Sequence, residues 1–366
     1  GQTEQSRQTV AEENDAEQAK TAGNLEVHFI DVGQGDATLI KCDGHSMLID
    51  AGNNDKGTLV QNYLQHQGVE TLDYVIGTHP DADHIGGMDV VLYKFDCKTI
   101  IMPDVANNTR TYDDVVQTMK NKGYKTTYPV VGETYTIGGA AFTIIAPNKE
   151  YGNDMNSWSV GVLLQNGNHR FLFTGDAEEG AEQDILQNGI DISADVYKVA
   201  HHGSNTATSQ AFLDAVHPTY AVISAGEGNS YGHPHAEVLN RLRAAGVSVF
   251  RTDEQGTIVA TSDGTTLTWN MSPSESWQAG EAEKSQNTEK SEKVADNQNN
   301  AETDAAVSNP TDQTDGNSDV IVHITKTGEK YHSAGCQYLR QSDIEVTLSE
   351  AKARGLTPCS KCNPPQ

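Results

Sequence analysis

Two histidines and two aspartates lie within six residues of the stretch THPDADHIGG, residues 78–87. His79, Asp81 and Asp83 alternate along the chain, and His84 follows Asp83 directly. In a tight loop, ligands two residues apart can face one ion, while an adjacent Asp–His pair can face a second. Imidazole and carboxylate together suit zinc, manganese or iron. The alternative is a polar loop that caps a helix, but a cap needs one such side chain rather than four.

Two further motifs place similar side chains directly after apolar runs. Asp176 follows FLFTG, and His201 and His202 follow ADVYKVA. Taken alone, Asp176 fits equally well as the N-cap of a helix over 177–189 or as a carboxylate that bridges two cations. Paired histidines directly after an apolar strand favour a metal site over ordinary loop residues.

A fourth motif, YGHPH at residues 231–235, contributes His233 and His235 just before a predicted helix. Pro234 and the helix start also give this motif a structural explanation, so both interpretations stay open.

Two divalent cations a few ångströms apart generate hydroxide near neutral pH and hold the attacking and leaving oxygens of a displacement. The sequence contains neither a recognisable Ser-His-Asp arrangement nor a phosphate-cradling P-loop. Hydrolysis by metal-activated water is therefore the chemistry that these residues predict.

These motifs must be positioned by the elements that precede them. Apolar runs typical of strands occupy residues 72–79, 169–174 and 194–200, and each leads into a motif. Amphipathic patterns predict helices at 57–68, 88–95, 112–123, 177–189 and 234–246. Because strands come in blocks with helices between them, we predict an α/β fold in which helices flank stacked sheets. Strand ends that converge on one edge would bring the motifs together.

Composition divides the 366-residue chain into four parts. Residues 1–24 are polar and predict a disordered N-terminal tether. Residues 25–272 contain the motifs described above and predict a hydrolase domain. Residues 273–319 hold too few apolar side chains to offset the entropy of ordering, so a disordered acidic linker is predicted. Residues 320–366 form a small C-terminal module.

The net charge of −26 is unevenly distributed along the chain. Residues 25–272 carry 31 acidic and 14 basic side chains, whereas residues 320–366 carry 4 acidic and 6 basic ones. An acidic domain argues against a broad electrostatic grip on nucleic acid, although bound divalent cations would mask several of its carboxylates. This argument does not apply to the C-terminal module, in which basic side chains outnumber acidic ones.

Signals for membrane insertion and export are few. No stretch reaches 18 apolar residues, so no transmembrane span is predicted. The chain begins at Gly1 rather than at Met, which predicts a processed N-terminus. With the polar tether, this favours an extracellular or cell-surface protein of bacterial type, attached to the surface by the tether. We expect it to be a monomer.

Taken in order, the motifs resemble two nested protein families. HxDxDH with TGD and HHGS resembles the metallo-β-lactamase superfamily. More narrowly, FIDVGQGDATLI, LIDAG, THPDADHIGG, FLFTGD, VAHHGS and YGHPH resemble the soluble hydrolase domain of ComEC/Rec2 competence proteins, across residues 25–270. The resemblance implies an αβ/βα sandwich that holds two divalent metals, zinc or manganese, at one edge.

The resemblance also implies a set of metal ligands. They are His79, Asp81, Asp83, His84, Asp176 as the bridge, and one of His201 and His202. We favour His202, but the motif does not separate the two. The usual superfamily motif has a histidine in place of Asp81, and this harder oxygen ligand suits manganese as well as zinc. The superfamily commonly has another histidine before the TGD strand, where this chain has Asn153, Asn156, Ser157 and Ser159, so one metal would be weakly held or completed by substrate.

In ComEC-like proteins this domain is associated with cutting nucleic acid phosphodiester bonds, so the resemblance implies a nuclease with DNA as its substrate. Asp83 or Asp176 would orient the attacking hydroxide, and His233 or His235 would contact the leaving group or the phosphate. Lys198 is a candidate phosphate contact or an ordinary solvated lysine.

Two other functions stay open beside the nuclease. One is a hydrolase of another ester, of the phosphorylcholine or lactone type, which the acidic charge supports. The other is a zinc-stabilised surface binding protein.

The C-terminal module has its own metal-ligand pattern. His332 and Cys336 are close in sequence, and Cys359 and Cys362 form a CxxC motif. Three sulfurs and one nitrogen make a closed tetrahedral zinc site, and a structural zinc would supply much of the folding energy of so small a module. A disulfide between Cys359 and Cys362 is the alternative. The segment resembles the Ada-type metal-binding fold, in which His332 would replace one cysteine of the usual set, and its mild basic character allows DNA contact.

Overall fold

The computed structural model of the protein describes residues 22–280, 321–325, 330–332, 339, 344–353, 356–359 and 362. The chain divides into two compact units, Gly1–Ser285 and Gln286–Gln366, which are described separately. Most of the predicted tether and linker, and Cys336, lie outside the described residues.

The first unit contains two β-sheets, and the first of these has eight strands. In spatial order they are β15 (Leu267–Trp269), β14 (Ile258–Ser262), β1 (Leu25–Phe29), β2 (Thr38–Cys42), β3 (His45–Ile49), β4 (Thr71–Ile76), β5 (Asp96–Ile101) and β6 (Thr126–Thr127). Neighbours from β15 to β3 are antiparallel, whereas β3 to β6 run parallel. The parallel strands need crossover connections, which helices supply.

The second sheet has seven strands. In spatial order they are β13 (Ser248–Arg251), β12 (Tyr220–Ile223), β11 (Val196–Lys198), β10 (His169–Phe173), β9 (Gly161–Asn166), β8 (Ala140–Ala146) and β7 (Thr134–Ile137). Strands β7 to β10 form an antiparallel meander, and β10 to β13 run parallel.

Helices occupy the connections between the parallel strands of both sheets, and the last helix lies in the connection from β13 to β14. They are α1 (Gly57–His66), α2 (Ala82–Ile85), α3 (Met88–Lys94), α4 (Arg110–Lys122), α5 (Glu179–Gln187), α6 (Gln210–Val216), α7 (Ala236–Ala244) and α8 (Thr252–Gln255). Helix α4 has clear boundaries, because the Thr109 hydroxyl accepts from the Tyr112 N–H and Gly123 ends the helix in the left-handed conformation. No helix within the described residues is long and apolar enough to cross a membrane.

Three apolar clusters stack these elements in four layers. Phenylalanines from both sheets pack in the central cluster: Phe29, Phe142, Phe171 and Phe250. On the outer face of the first sheet, Leu64, Val91 and Val115 of helices α1, α3 and α4 pack against strand residues. On the outer face of the second sheet, Ile185, Phe212 and Leu239 of α5, α6 and α7 do the same. The α/β fold of helices on stacked sheets, the αβ/βα sandwich, is thus confirmed.

The folded domain extends past the predicted boundary at residue 272. The Ser274 N–H donates to the Val249 carbonyl at 2.7 Å, and the Gly280 N–H donates to the Pro234 carbonyl at 2.9 Å. The Trp277 ring packs 5.7 Å from the Arg243 guanidinium carbon. Residues 273–280 therefore pack on the domain, and the prediction that the disordered linker starts at 273 is wrong for this segment.

The described residues of the second unit form a four-stranded sheet and one helix. The strands, in spatial order, are β18 (Ile344–Thr347), β16 (Ile321–Ile324), β17 (Lys330–His332) and β19 (Thr357–Pro358), and the helix is α9 (Leu348–Ala353). Val322, Tyr331, Val346 and Leu348 form its apolar cluster.

Candidate metal centre

The loops that follow β1, β4, β10 and β11 converge at one edge of the sandwich. The sequence predicted that the last three would meet, but it did not include the loop after β1. The His201 N–H donates to the Gly175 carbonyl at 3.1 Å, and the Asp36 N–H donates to the Asp83 carbonyl at 3.0 Å. The second contact needs Gly35, because a Cβ there would overlap the Asp83 carbonyl and its φ is +139°. Backbone contacts between loops therefore place the motif side chains together.

Four residues form a buried cluster at this edge: Asp36, His84, Asp176 and His202, whose ligand-type atoms lie within 4.8 Å of one another. Asp176 Oδ1 lies 3.2 Å from His84 Nε2, and Asp176 Oδ2 lies 3.4 Å from His202 Nε2. The two Nε2 atoms are 3.3 Å apart. Asp176 thus contacts both histidines, one with each oxygen.

The hydrogen bonds behind each histidine determine which ring nitrogen faces the cluster. His84 Nδ1 is 2.9 Å from Asp50 Oδ2, and His202 Nδ1 is 3.0 Å from the Ser224 carbonyl. Carboxylate and carbonyl oxygens only accept, so each Nδ1 carries the proton. Each Nε2 then directs a lone pair into the cluster, as a metal-binding histidine does.

The cluster is rich in acceptors and poor in donors. Within the described part of the chain, the buried atoms His79 Nε2 and Asp176 Oδ1 have no partner in hydrogen-bonding geometry. Lone pairs and carboxylate oxygens at about 3.3 Å repel one another unless a cation or protons lie between them. Buried imidazole and carboxylate ligands of this kind fit divalent cations such as zinc or manganese.

The remaining predicted ligands surround the same cluster. Asp83 Oδ2 lies 3.2 Å from His202 Nε2 and 4.0 Å from His84 Nε2. His79 Nε2 lies 3.7 Å from Asp81 Oδ2, and the His79 and His84 ring centres are 4.2 Å apart. Two groups of possible metal ligands therefore lie side by side, one around His202 and one around His79.

The structure distinguishes the two histidines of the HHGS motif. His202 is buried, and its Nε2 approaches both Asp83 and Asp176. His201 is more exposed, with Nε2 3.7 Å from Asp176 Oδ2 and Nδ1 3.4 Å from Glu178 Oε1. This geometry favours His202 as the ligand and places His201 at the rim.

Ser159 occupies the region where the superfamily commonly has another histidine. Its hydroxyl accepts from the Asp176 N–H at 3.0 Å and lies 3.3 Å from His79 Nδ1. Ser159 therefore supports two predicted ligands from behind, which leaves His79 Nε2 directed at the centre.

Charges at the centre shift the pKa values in opposite directions. Burial alone would lower the pKa of His84 and of His202, but Asp176 and its neighbouring carboxylates more than offset this and raise both well above the usual value. Burial, reinforced by His84, lowers the pKa of His79 to about 3. Burial would raise the pKa of Asp83, but His84 and His202 lower it to about 2. Without a metal, protons on His84 and His202 would have to balance the carboxylates.

Two buried carboxylates behind the histidines were missed by sequence reasoning. Asp36 Oδ1 lies 3.2 Å from His202 Nδ1, and Asp50 accepts from His84 and from both the N–H and the hydroxyl of Thr78. Both stand in quoted motifs, FIDVGQGDATLI and LIDAG. Asp50 directly follows strand β3, and that position was an available signal, whereas Asp36 lies just before β2 and had no such signal.

Lys198 is not placed to bind phosphate. Its side chain is buried, and Nζ donates to Asp36 Oδ2 at 2.7 Å and to the Val199 carbonyl at 3.1 Å. The phosphate contact predicted for Lys198 is therefore wrong, and so is the solvated alternative.

The two histidines of YGHPH differ in position. His233 is buried, its ring stacks 6.1 Å from that of His202, and its Nδ1 lies 3.4 Å from Gln34 Nε2. Burial, together with the neighbouring histidines, lowers its pKa to about 4. His235 instead accepts from the Asn205 N–H at 2.9 Å and lies 3.2 Å from the Tyr231 carbonyl. The structural explanation therefore fits His235, while His233 lies beside the centre.

An open cleft lies on the other side of Gln34 and has a volume of about 580 Å³. Its charged lining residues are Asp31, Lys56, Glu227, Asp253 and Glu254. Arg251 pairs with the last two acids. The cleft is therefore acidic, and its lining residue Gln34 lies 3.4 Å from His233.

The second unit contains a smaller cluster of ligand-type side chains: His332, Cys359 and Cys362, with ligand atoms within 4.8 Å of one another. His332 Nδ1 is 3.8 Å from Cys362 Sγ. Cys359 and Cys362 are not joined by a disulfide. These three predicted ligands are brought together; Cys336 lies outside the described residues.

Comparisons with known proteins agree with this architecture. A model of the metallo-β-lactamase superfamily matches residues 30–227. The chain is 31% identical over 255 residues to ComE operon protein 3 of Bacillus subtilis, covering 64% of this chain and 32% of the relative. It is 33% identical over 238 residues to Recombination protein 2 of Haemophilus influenzae, covering 64% and 28%. The chain thus spans about a third of the length of these relatives.

A solved structure also aligns with the chain. It is the metallo-beta-lactamase fold protein YhfI from Bacillus subtilis, which is 14% identical with a TM-score of 0.46, covering 65% of this chain and 100% of that one. The resemblance to ComEC/Rec2 proteins read from the motifs is confirmed by the two curated relatives.

Proposed function

The chain belongs to the metallo-β-lactamase superfamily of metal-dependent hydrolases, and we propose that it is a nuclease that hydrolyses phosphodiester bonds of DNA. The observation that carries the hydrolase assignment is the acceptor-rich cluster, in which two imidazole nitrogens 3.3 Å apart face the two oxygens of Asp176. The similarity to two ComEC/Rec2-type relatives supports DNA as the substrate.

Six residues would hold two divalent cations: His79, Asp81, Asp83, His84, Asp176 and His202. When bound, such a pair supplies activated water and charge stabilisation for displacement at phosphorus. Asp176 has one oxygen beside each histidine and would bridge the pair. Asp83 lies toward solvent and would orient the attacking water.

His233 is the side chain best placed to contact the phosphate or the leaving group. It lies between the centre and Gln34, and its Nδ1 faces the Gln34 amide. With a pKa of about 4, its ring is neutral near pH 7 and would act as a hydrogen-bonding group rather than as a cation.

The acidic cleft favours a second candidate function. A small ester with a cationic head group, of the phosphorylcholine type, would be attracted to Asp31 and Glu227 beside the metal centre. Lys56, the cation that lines the cleft, already pairs with Asp55 at 2.9 Å. The same metal chemistry would then act on a non-nucleic-acid ester.

The test is cleavage of single- and double-stranded DNA by the full chain with added Mn²⁺ or Zn²⁺, beside p-nitrophenyl phosphorylcholine and a lactone. We expect metal-dependent DNA cleavage that a chelator stops and that His84→Ala abolishes. His66→Ala, which removes an exposed histidine of α1, serves as the matched control and should cleave normally. If two metals bind but only a small ester is turned over, the nuclease assignment is wrong.

We further propose a structural zinc in the C-terminal module, held by His332, Cys359 and Cys362, with Cys336 as the fourth ligand. Wild-type protein should then bind three metals per chain, and Cys359→Ser should bind two. Equal stoichiometry in both proteins would contradict this site. The monomeric state, the extracellular or cell-surface location and DNA contact by the module stay predictions.

A further inference from the structure

A buried ion pair lies beside the ring nitrogen of His202 that faces away from Asp176. Lys198 Nζ and Asp36 Oδ2 are 2.7 Å apart, and the two side chains are only 3% and 7% exposed. Asp36 Oδ1 lies 3.2 Å from His202 Nδ1, outside hydrogen-bonding geometry. The pair is therefore adjacent to a predicted ligand and closed to solvent.

Burying two charges to form one pair is a poor way to gain stability. The desolvation of both ions offsets most of their attraction, and well-packed apolar residues often serve as well. Lys198 lies in the middle of the second sheet, on β11, with parallel neighbours on both sides. An apolar residue is the expected choice at such a position. A lysine there calls for a reason beyond packing.

Asp36 is fixed by its backbone as well as by Lys198. Its N–H donates to the Asp83 carbonyl at 3.0 Å, and its own carbonyl accepts from the Gly52 N–H at 2.8 Å. The first bond ties Asp36 to the THPDADH loop, while its side chain reaches Lys198 and His202 of the second sheet. Asp36 thus has a fixed position between the two loops that supply ligands.

His202 needs support, because its backbone is in an unusual conformation. Its φ is +55°, following +50° at His201, so two consecutive non-glycine residues occupy the left-handed region. Its Nδ1 hydrogen-bonds to the Ser224 carbonyl at 3.0 Å, and the Asp36 carboxylate adds a negative charge 3.2 Å away without forming a hydrogen bond. Both favour the tautomer with the proton on Nδ1 and the lone pair on Nε2.

We propose that Asp36 and Lys198 act as a positioning pair that holds the His202 imidazole with Nε2 toward the metal centre. Lys198 fixes the carboxylate through Oδ2, and the charge on Oδ1, 3.2 Å from His202 Nδ1, favours the ring orientation that keeps the protonated nitrogen on this side. Asp36 is then not itself a ligand, although its oxygen lies within 4.8 Å of the other ligand-type atoms. The inference rests on the proposed metal binding.

The test is titration of the metal-free full chain with Co²⁺, followed by visible absorption, which reports affinity and ligand geometry without any substrate. The thiolate charge-transfer band identifies metal in the C-terminal module, so that site is counted separately. Asp36→Ala should weaken one of the two remaining sites 10- to 100-fold, the range typical of lost outer-shell partners, and should change its absorption bands. The other site should keep its affinity.

Two further variants separate positioning from a merely structural role. Asp36→Asn combined with Lys198→Met removes both charges but keeps an acceptor facing His202, and it should restore the affinity to within a few-fold of wild type. Arg251→Met breaks another buried pair, with Asp253 at 2.6 Å, and should leave both sites unchanged. Thermal unfolding of the metal-free variants checks that each is folded.

Three results would overturn the inference. Wild-type affinity at both sites in Asp36→Ala would exclude a positioning role. Loss of metal in the double variant as complete as in His202→Ala would mean that the Asp36 carboxylate coordinates directly. Absence of metal from the hydrolase domain of the wild-type protein would overturn the proposed function and this inference together. The first two results would overturn this inference alone.

Discussion

Each histidine at the centre has one ring nitrogen directed inward and one bonded to an acceptor behind it. His84 is fixed by Asp50, and His202 by the Ser224 carbonyl. The inward atoms of both rings and of Asp176 repel one another unless a cation or protons lie between them, so these residues suit a bound cation. Asp81 differs from these buried residues, because its side chain is 38% exposed and bonds weakly to Asn107.

Replacing Asp81 by histidine should change the metal preference. Imidazole is a softer ligand than carboxylate and favours zinc over manganese. We expect Asp81→His to raise the affinity for Zn²⁺ relative to Mn²⁺ by about tenfold, similar to the effect of an outer-shell change. Because Asp81 is partly exposed, the larger side chain should fit without loss of stability.

The measurement is competition between Zn²⁺ and Mn²⁺ for the metal-free protein. Asp81→Asn is the matched control and should weaken the binding of both ions, since an amide oxygen is a poorer ligand than a carboxylate. An unchanged Zn²⁺/Mn²⁺ ratio in Asp81→His would mean that residue 81 does not coordinate.

At the scale of an element, Asn229 makes four hydrogen bonds within the loop between β12 and α7. Asn229 Oδ1 accepts from the N–H groups of Tyr231 and His233, and Nδ2 donates to the carbonyls of Gly226 and His233. These four bonds fix the position of His233 beside His202. Gln34 adds a contact from the first sheet, where its Oε1 accepts from the Gly226 N–H.

Asn229→Ala should destabilise the protein by about 1–3 kcal/mol, because several buried backbone groups lose their partners at once. Asn229→Asp keeps the two acceptor bonds but loses both donors, so its loss should be intermediate unless the buried charge adds to it. The measurement is urea unfolding, with the exposed helical Asn62→Ala as control. A change below about 0.5 kcal/mol, the range of surface substitutions, would contradict the role assigned to Asn229.

Sequence patterns predicted the elements better than the contacts between them. The strand and helix pattern around each motif was recognised from periodicity, and the motifs met as expected. Helix α6 was missed because it has only seven residues, although Ser209 caps it. The packing of residues 273–280 was missed because it depends on backbone bonds and on Trp277 against Arg243, which leave no periodic signal. The position of Lys198 could not be read either, since its partner Asp36 is distant in sequence.

At the scale of the whole domain, the metal centre joins the two sheets. His79, Asp83 and His84 follow β4 of the first sheet, whereas Asp176 and His202 follow β10 and β11 of the second. The Lys198–Asp36 pair crosses between the same sheets. Any cation bound here therefore links both halves of the sandwich.

Metal removal should lower the stability of the entire hydrolase domain rather than of one loop. A ligand present at 100 times its dissociation constant stabilises the folded state by about 2.7 kcal/mol per site. We expect a chelator to lower the unfolding temperature of wild-type protein by several degrees, and metal to restore it. His84→Ala should respond much less. The measurement is scanning calorimetry with Trp fluorescence, and equal responses of both proteins would contradict a cation at this centre.

The chain passes from the first sheet to the second once, between β6 and β7, and returns once, between β13 and β14. A nick within residues 128–133 would thus yield two fragments, one with four of the six proposed ligands and the other with two. Neither fragment alone would retain a cation at this site, while their reassociation would recreate it. Metal binding would then report complementation of the fragments, and the intact chain is what makes that association intramolecular.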